Sequence, residues 1–398
     1  MLVGAQLTNG RTTVSATLSD STSTELVSRA REAAQVLAEH AEETEQLGRP
    51  APASMVALQE AGLLAMGVPR EFGGTQAGLA DQVRVAIELG RGCTSTAWVA
   101  SLSVGVKSQF GNAMSTEARS ALFARPDAVL CASGVGGGMA IREPGGVRVR
   151  GRFAMASGCE VARWAALVVG VVEGDEPVAG GLVLVPISEL RIERTWRAAG
   201  LQGTGSHTLV ADDVFVPEAF TVLSPVPAVP SLPPAALSLA GVLSHLAPLL
   251  GTADAAVTEL RRVFGGDRTP SRTTYARLVD SPLARQRFAR AERRVQTALR
   301  DSLRVADTVD EAGPGFAPEA AVRTEMRLDL AEAASACRAA LDDLLDLRGA
   351  GAFLLDQRLQ RYWRDIAVGT RYAGFNPYIA EEDYSNATLG VGGAISLL

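Results

Sequence analysis

Three small residues in a row, Ala156-Ser157-Gly158, mark the place in this 398-residue chain where chemistry is easiest to arrange. Backbone N–H groups and one hydroxyl stand there with almost no bulk, so a flat polar heterocycle could lie against the turn and bond to Ser157. An ordinary hairpin corner would read the same way. Glu160 is the only nearby carboxylate and becomes a base if it turns inward. Other chemistries are poorly served. The histidines, His40, His207 and His245, lie in separate segments with no Cys or carboxylate at ligand spacing, so no metal site is expected. There is no Gly-x-Ser-x-Gly elbow and no Cys–His pair with a third member. Gly134-Val-Gly-Gly-Gly138 lacks the Lys-Ser/Thr of a phosphate cradle and reads as a loop.

Strands must hold the turn. Gly146-Val-Arg-Val-Arg150 alternates apolar and charged residues before it, and Ala165 to Gly170 is an apolar strand-like run after it. Together with Val129 to Ser133, Gly180 to Pro186, Leu190 to Thr195 and Thr208 to Val216, these predict a compact β-domain of about six strands over residues 127–222. Residues 1–22 read as a disordered leader. Residues 23–126 read as a helical domain, with helices over Ser23 to Leu47, from Ser54, over Leu79 to Leu89, and from Cys93 with Thr94 or Ser95 as its cap. A Pro-rich connector, 223–235, leads to a bundle over 236–398, with helices predicted at 236–264, 282–309, 318–346 and 354–371. The fold class is therefore α+β, with helices, β-domain and helices in that order. Ala-rich faces in excess of what one bundle packs suggest a homo-oligomer.

Composition sets limits. A chain with 47% apolar and 21% charged residues can bury a sizeable core. Its net charge of −6 argues against a nucleic-acid surface. The cysteines, at 93, 131, 159 and 337, form no disulfide or metal pattern, so reduced thiols in a cytoplasmic protein are expected. No apolar run approaches the roughly 20 residues of a membrane span, and the Thr/Ser-rich N-terminus carries no signal-peptide pattern.

Four stretches in order carry a family likeness: Cys93-Thr-Ser-Thr-Ala-Trp98; Gly151-Arg-Phe-Ala-Met-Ala-Ser-Gly158; Gly200-Leu-Gln-Gly-Thr-Gly-Ser206 followed by Asp212-Asp-Val-Phe-Val-Pro217; and Leu359-Gln-Arg-Tyr-Trp-Arg-Asp365. Over residues 25 to 390 the chain resembles the acyl-CoA dehydrogenase fold. More closely, it is similar to the two-component flavin-dependent monooxygenases within that superfamily. The resemblance implies reduced FMN or FAD supplied by a separate reductase, a C4a-hydroperoxide formed with O2, and a homotetramer. It implies that Ser157 meets the flavin near N5 and that Ala156, Gly158, Ser133, Thr204, Ser206, Trp98 and Trp196 border the cofactor. Arg348 and Gly349 fall where relatives bring a bundle loop to the cofactor, often from a neighbouring subunit. Ser133, Thr204 and Ser206 read equally as strand or loop hydroxyls, and Trp98 and Trp196 as core aromatics. Phe153, Met155, Trp98 and Trp196 would supply the apolar, water-excluding surroundings that such an oxygenation needs.

Two departures bear on the reaction. Dehydrogenases of this fold often carry a glutamate after the Arg-Asp pair, and Ala373 stands in its place. A dehydrogenase with its base relocated is therefore the first rival, and a scaffold without chemistry the second. Aromatic hydroxylases often place one histidine after the Ser-Gly turn and another after Arg-Asp, where this chain has Val161 and Tyr372. Removing a proton from a phenol costs about 4 kcal/mol at pH 7, so missing bases weigh against an ordinary phenol hydroxylase. N-oxygenation of an amine, such as a nucleotide-linked aminosugar in antibiotic biosynthesis, is placed ahead of carbon hydroxylation of an aromatic or polyketide. Tyr372 is either a substrate-facing group or a buried, hydrogen-bonded tyrosine. Arg364-Asp365 is expected to be a structural ion pair orienting the last hairpin.

Overall fold

The computed structural model describes residues 12–111, 113–134, 137–174, 176–225 and 234–396. Helices α1 (Thr12–Glu39), α2 (Ala41–Leu47), α3 (Pro52–Glu60), α4 (Leu79–Gly92), α5 (Thr94–Phe110) and α6 (Thr116–Phe123) come first. Of the expected leader, residues 1–11 lie outside those described, and from Thr12 the backbone is already helical. The helix expected over 23–47 is divided at His40. Cys93, in extended conformation, precedes α5 and offers no side-chain cap, whereas Thr94 sits inside the helix with its hydroxyl on that of Thr252.

Eight strands follow: β1 (Val129–Ser133), β2 (Gly138–Glu143), β3 (Gly146–Ala156), β4 (Ala162–Glu173), β5 (Glu176–Pro186), β6 (Arg191–Glu193), β7 (His207–Pro217) and β8 (Thr221–Pro225). They form one sheet in the order β6-β7-β3-β2-β4-β5-β8, with β1 paired parallel to β4. Two strands were not expected from sequence. β2 is a short run with Met139 and Ile141 exposed, and β8 is an edge strand that starts the Pro-rich connector, where a missing N–H is tolerated. The rest of that connector, up to residue 233, lies outside the described residues.

The bundle comprises α7 (Ala235–Phe264), α8 (Pro282–Ala312), α9 (Ala320–Arg348), α10 (Arg358–Gly369) and α11 (Pro377–Leu389). The last was not anticipated, although Asn376 caps it and Pro377 opens it. α7 is long and apolar enough to cross a membrane, contrary to the sequence expectation, yet 72% of its apolar window is buried as the axis of the bundle. Its Leu243, Leu246, Leu250 and Val257 share one core with Val83 and Ile87 of α4 and with Leu330, Leu341 and Leu344 of α9. Trp98 and Leu201 belong to the same core, so the bundle and the turn region share a seam.

Pro248 fixes how α5 meets that seam. A proline inside a helix cannot donate to the carbonyl four residues back, here that of Ser244. The hydroxyl of Ser101, one turn beyond Trp98 on α5, donates to it at 2.8 Å. A buried carbonyl left unpaired would cost about 1–3 kcal/mol, so this bond pins α5 to α7 beside His245.

Candidate active site

The end of β3 turns through Ala156-Ser157-Gly158 against the loop before β7. Gly158 takes a φ of +78°, its N–H donates to the carbonyl of Thr204 at 2.7 Å, and a Cβ there would come within 2.6 Å of Val99. Only glycine combines that conformation with that approach. Above it runs a chain of hydroxyls. Thr204 Oγ1 donates to the carbonyl of Leu201 at 2.7 Å, Ser206 Oγ lies 2.7 Å from Thr204 Oγ1, and Ser157 Oγ lies 2.8 Å from Ser206 Oγ. Trp98 Nε1 closes the row by donating to Ser157 Oγ at 3.2 Å. Each hydroxyl has one hydrogen, so the first bond sets all the others. Thr204 spends its proton on Leu201, Ser206 therefore donates to Thr204, and Ser157 to Ser206. Ser157 is left with a lone pair to offer and no proton.

His245 stands behind Trp98. The two rings meet edge to face with centroids 5.0 Å apart, and the imidazole stacks on Tyr372 at 3.9 Å and 6°. Phe375 abuts Tyr372 at 5.4 Å. His245 Nδ1 lies 2.7 Å from the carbonyl of Gly241 and so carries the proton. Burial with no charged neighbour pushes its pKa down to about 4. The imidazole is neutral at pH 7 with its lone pair on Nε2. Burial also pushes the Tyr372 phenol up, and its hydroxyl makes no hydrogen bond among the described residues.

The loop carrying Thr204 and Ser206 is anchored from α10. Leu201, in the left-handed region at φ +54°, donates its N–H to Asp365 Oδ1 at 2.6 Å, and its carbonyl also accepts from Trp196 Nε1 at 2.9 Å. A non-glycine residue held there is strained, which the surroundings must over-determine. At Gly200 a Cβ would fall 2.1 Å from the carbonyl of Arg364, so the loop touches the helix backbone. Burial pushes the Asp365 carboxyl up to about 6, partly offset by the bonds from Leu201 and Thr94. Arg364 and Asp365 do not pair with each other: Arg364 reaches Glu45, Gln360 and the carbonyl of Ala199. Neighbours on a helix point about 100° apart, so the two split between different partners.

The remaining anticipated residues scatter. Ala156 is buried in register with His207. Ser133 donates to the carbonyl of Ala154 at 2.6 Å, tying β1 to β3. Trp196 lies half-buried, its backbone N–H on His207 Nδ1 at 3.1 Å. Glu160 accepts from Arg194 at 2.7 Å, with His207 Nε2 at 3.8 Å. Arg348 reaches Gln357, its carbonyl accepts from Arg268, and Gly349 lines a cleft of about 700 Å3 with Arg268, Tyr275 and Arg287. That cleft is lined by none of the turn's residues. Sequence reading missed His245 as a site residue. The available signal was a single titratable residue in the apolar first half of α7.

Residues 21–121 match the family described as acyl-CoA dehydrogenase, N-terminal domain, and residues 243–377 match acyl-CoA dehydrogenase, C-terminal domain. The chain is 31% identical over 385 residues to the flavin-dependent monooxygenase oxygenase subunit HsaA of Rhodococcus jostii (strain RHA1), covering 89% of this chain and 96% of that protein. The chain belongs to the flavin-dependent monooxygenases of the acyl-CoA dehydrogenase superfamily. Another relative, the oxygenase component of a FADH2-dependent resorcinol hydroxylase of Rhizobium sp. (strain MTP-10005), is 40% identical over 197 residues, 48% of this chain and 47% of that one. Among solved structures, XiaF from Streptomyces sp. in complex with FADH2 and glycerol superposes with a TM-score of 0.89 at 29% identity, covering 96% of this chain and 99% of that one.

The monooxygenase's own residues fit a flavin. Ser157 presents an acceptor, which suits a ring N–H. Met155, just before the turn, is 57% exposed at a φ of +59°, an apolar side chain in strained backbone whose exposure suits a covering ring system.

Proposed function

We propose that this chain is the oxygenase component of a two-component system that places one atom of dioxygen on a carbon of a small aromatic substrate. A separate reductase supplies reduced flavin, FAD by analogy with the relatives. When bound, the reduced flavin provides two electrons and activates dioxygen. The chain's own residues hold the rest. Ser157 accepts a hydrogen bond from the cofactor, and Trp98, His245 and Tyr372, backed by the buried Phe375, form an aromatic wall that favours a flat substrate and excludes water.

The observation that carries carbon over nitrogen is that wall, with no carboxylate among the described residues bonded to any of its members. An ammonium substrate calls for an anion, and Glu160 is engaged by Arg194. Arg348 and Gly349, away from the turn in their own subunit, belong in this reading to a neighbouring subunit's cofactor in a homo-oligomer. Incubating the chain with a reductase, NADH and FAD against phenols, indoles and alkylamines, with products read by mass spectrometry, tests the reading. Oxygenated arenes are expected. N-oxygenated amines alone would overturn it.

A further inference from the structure

The geometry points to His245 Nε2 as the catalytic group that takes the ring O–H or N–H proton of the aromatic substrate while oxygen is transferred. This rests on the aromatic reading above and adds a residue to it. Three observations carry it. The Nδ1–H bond to Gly241 fixes the tautomer and leaves the Nε2 lone pair without a partner among the described residues. The residue is only partly buried although its ring meets Trp98 and stacks on Tyr372, and its Nε2 is not among the buried polar atoms lacking a partner, so that atom is not sealed off from solvent. Trp98 bonds directly to Ser157, which puts the imidazole one ring away from the turn.

The groups facing His245 are Trp98 from α5 and Tyr372 beyond α10 and, on its own α7, the carbonyl of Gly241, and among the described residues no charged side chain acts on it. An imidazole so placed is neutral at pH 7 and ready to accept. The substrate H–X–Ar–H, with X oxygen or nitrogen, gives its X–H proton to Nε2 as the ring carbon forms its bond to oxygen and the O–O bond breaks. The ring C–H proton then passes to the second oxygen atom, which leaves as water, and X regains its proton from His245. Reduced flavin supplies the two electrons, so HX–Ar–H, O2 and reduced flavin become HX–Ar–OH, water and oxidised flavin.

The test uses the full chain with reductase, NADH and FAD, phenol and indole as probes, and His245→Gln as the variant. Product per reduced flavin should fall about 100-fold, with hydrogen peroxide taking up the difference. Imidazole added to His245→Gly should restore part of it. Product formation by His245→Gln at the wild-type level would overturn the proposal. Independently of turnover and of the variants' folding, 15N NMR of histidine-labelled wild-type protein should show an unprotonated Nε2 at pH 7. A protonated Nε2 would overturn it too. Wild-type protein that oxygenates an alkylamine and neither probe would instead sink the aromatic reading on which this rests.

Discussion

The imidazole of His245 and the phenol ring of Tyr372 lie face to face, 3.9 Å apart and 6° from parallel. One comes from α7 and the other from the turn after α10, so the stack joins two bundle helices at the point where Trp98 reaches Ser157. The aromatic wall and the hydroxyl chain are thus parts of one seam between the bundle and the sheet.

His245 should make stability depend on acid. Its folded pKa of about 4 lies below the ordinary 6.5, so between those values the unfolded chain binds a proton that the folded chain does not. Stability therefore falls as pH drops from 6.5 to 4. Urea denaturation at pH 7 and 4.5 should show the wild type losing about 2–3 kcal/mol more than His245→Phe. Equal losses would contradict the assignment.

Asp365 acts in the opposite sense. Its folded pKa, raised to about 6, means the folded chain holds a proton that the unfolded chain releases between 3.8 and 6, so the group costs stability as pH rises through that window. Asp365→Asn keeps an acceptor for Leu201 and removes the buried charge. It should stabilise the chain at pH 7 by up to about 3 kcal/mol and have little effect near pH 4. Destabilisation at pH 7 would show that the ionised carboxylate is favoured there.

Ser206→Ala should change which flavin the turn prefers. In the intact row Ser157 spends its proton on Ser206 and can only accept, which suits the N–H of a reduced flavin. Without Ser206 the Ser157 proton is free to donate to an oxidised ring. Anaerobic titration with reduced FAD and aerobic titration with oxidised FAD should show the Kd ratio between the two narrowing several-fold. An unchanged ratio would mean that Ser157 does not read the redox state.

The chain's only lysine, Lys107, is buried and donates to the carbonyls of Leu64 and Pro126, and burial lowers its pKa to about 7. An amine-reactive ester should leave it unmodified in the native chain and label it in denaturing urea, as peptide mapping would show. Fast native labelling would mean that α5 opens locally.

The domain order and the long bundle helices were legible because heptad-like Leu and Ala spacing extends over many turns in α7, α8 and α9. The Ser157 turn stood out because small residues interrupt a strand. β2 and β8 were missed because one follows a Gly-rich loop and the other ends in proline. The sequence reading placed amine oxygenation first because Val161 and Tyr372 stand where aromatic hydroxylases often carry histidines. The imidazole that stacks on Tyr372 comes from a helix more than 100 residues earlier, and only the packing of α10 and its following turn against α7 brings the two together. Asp365 was paired with Arg364 by adjacency alone, although adjacent helix positions face different ways.

The most direct test supplies chemically reduced FAD and 18O2 to the chain with phenol or indole, without any reductase. One 18O atom on a ring carbon of the product is the expected result. Labelled hydrogen peroxide as the sole oxygen product, with both arenes recovered unchanged, would contradict the account.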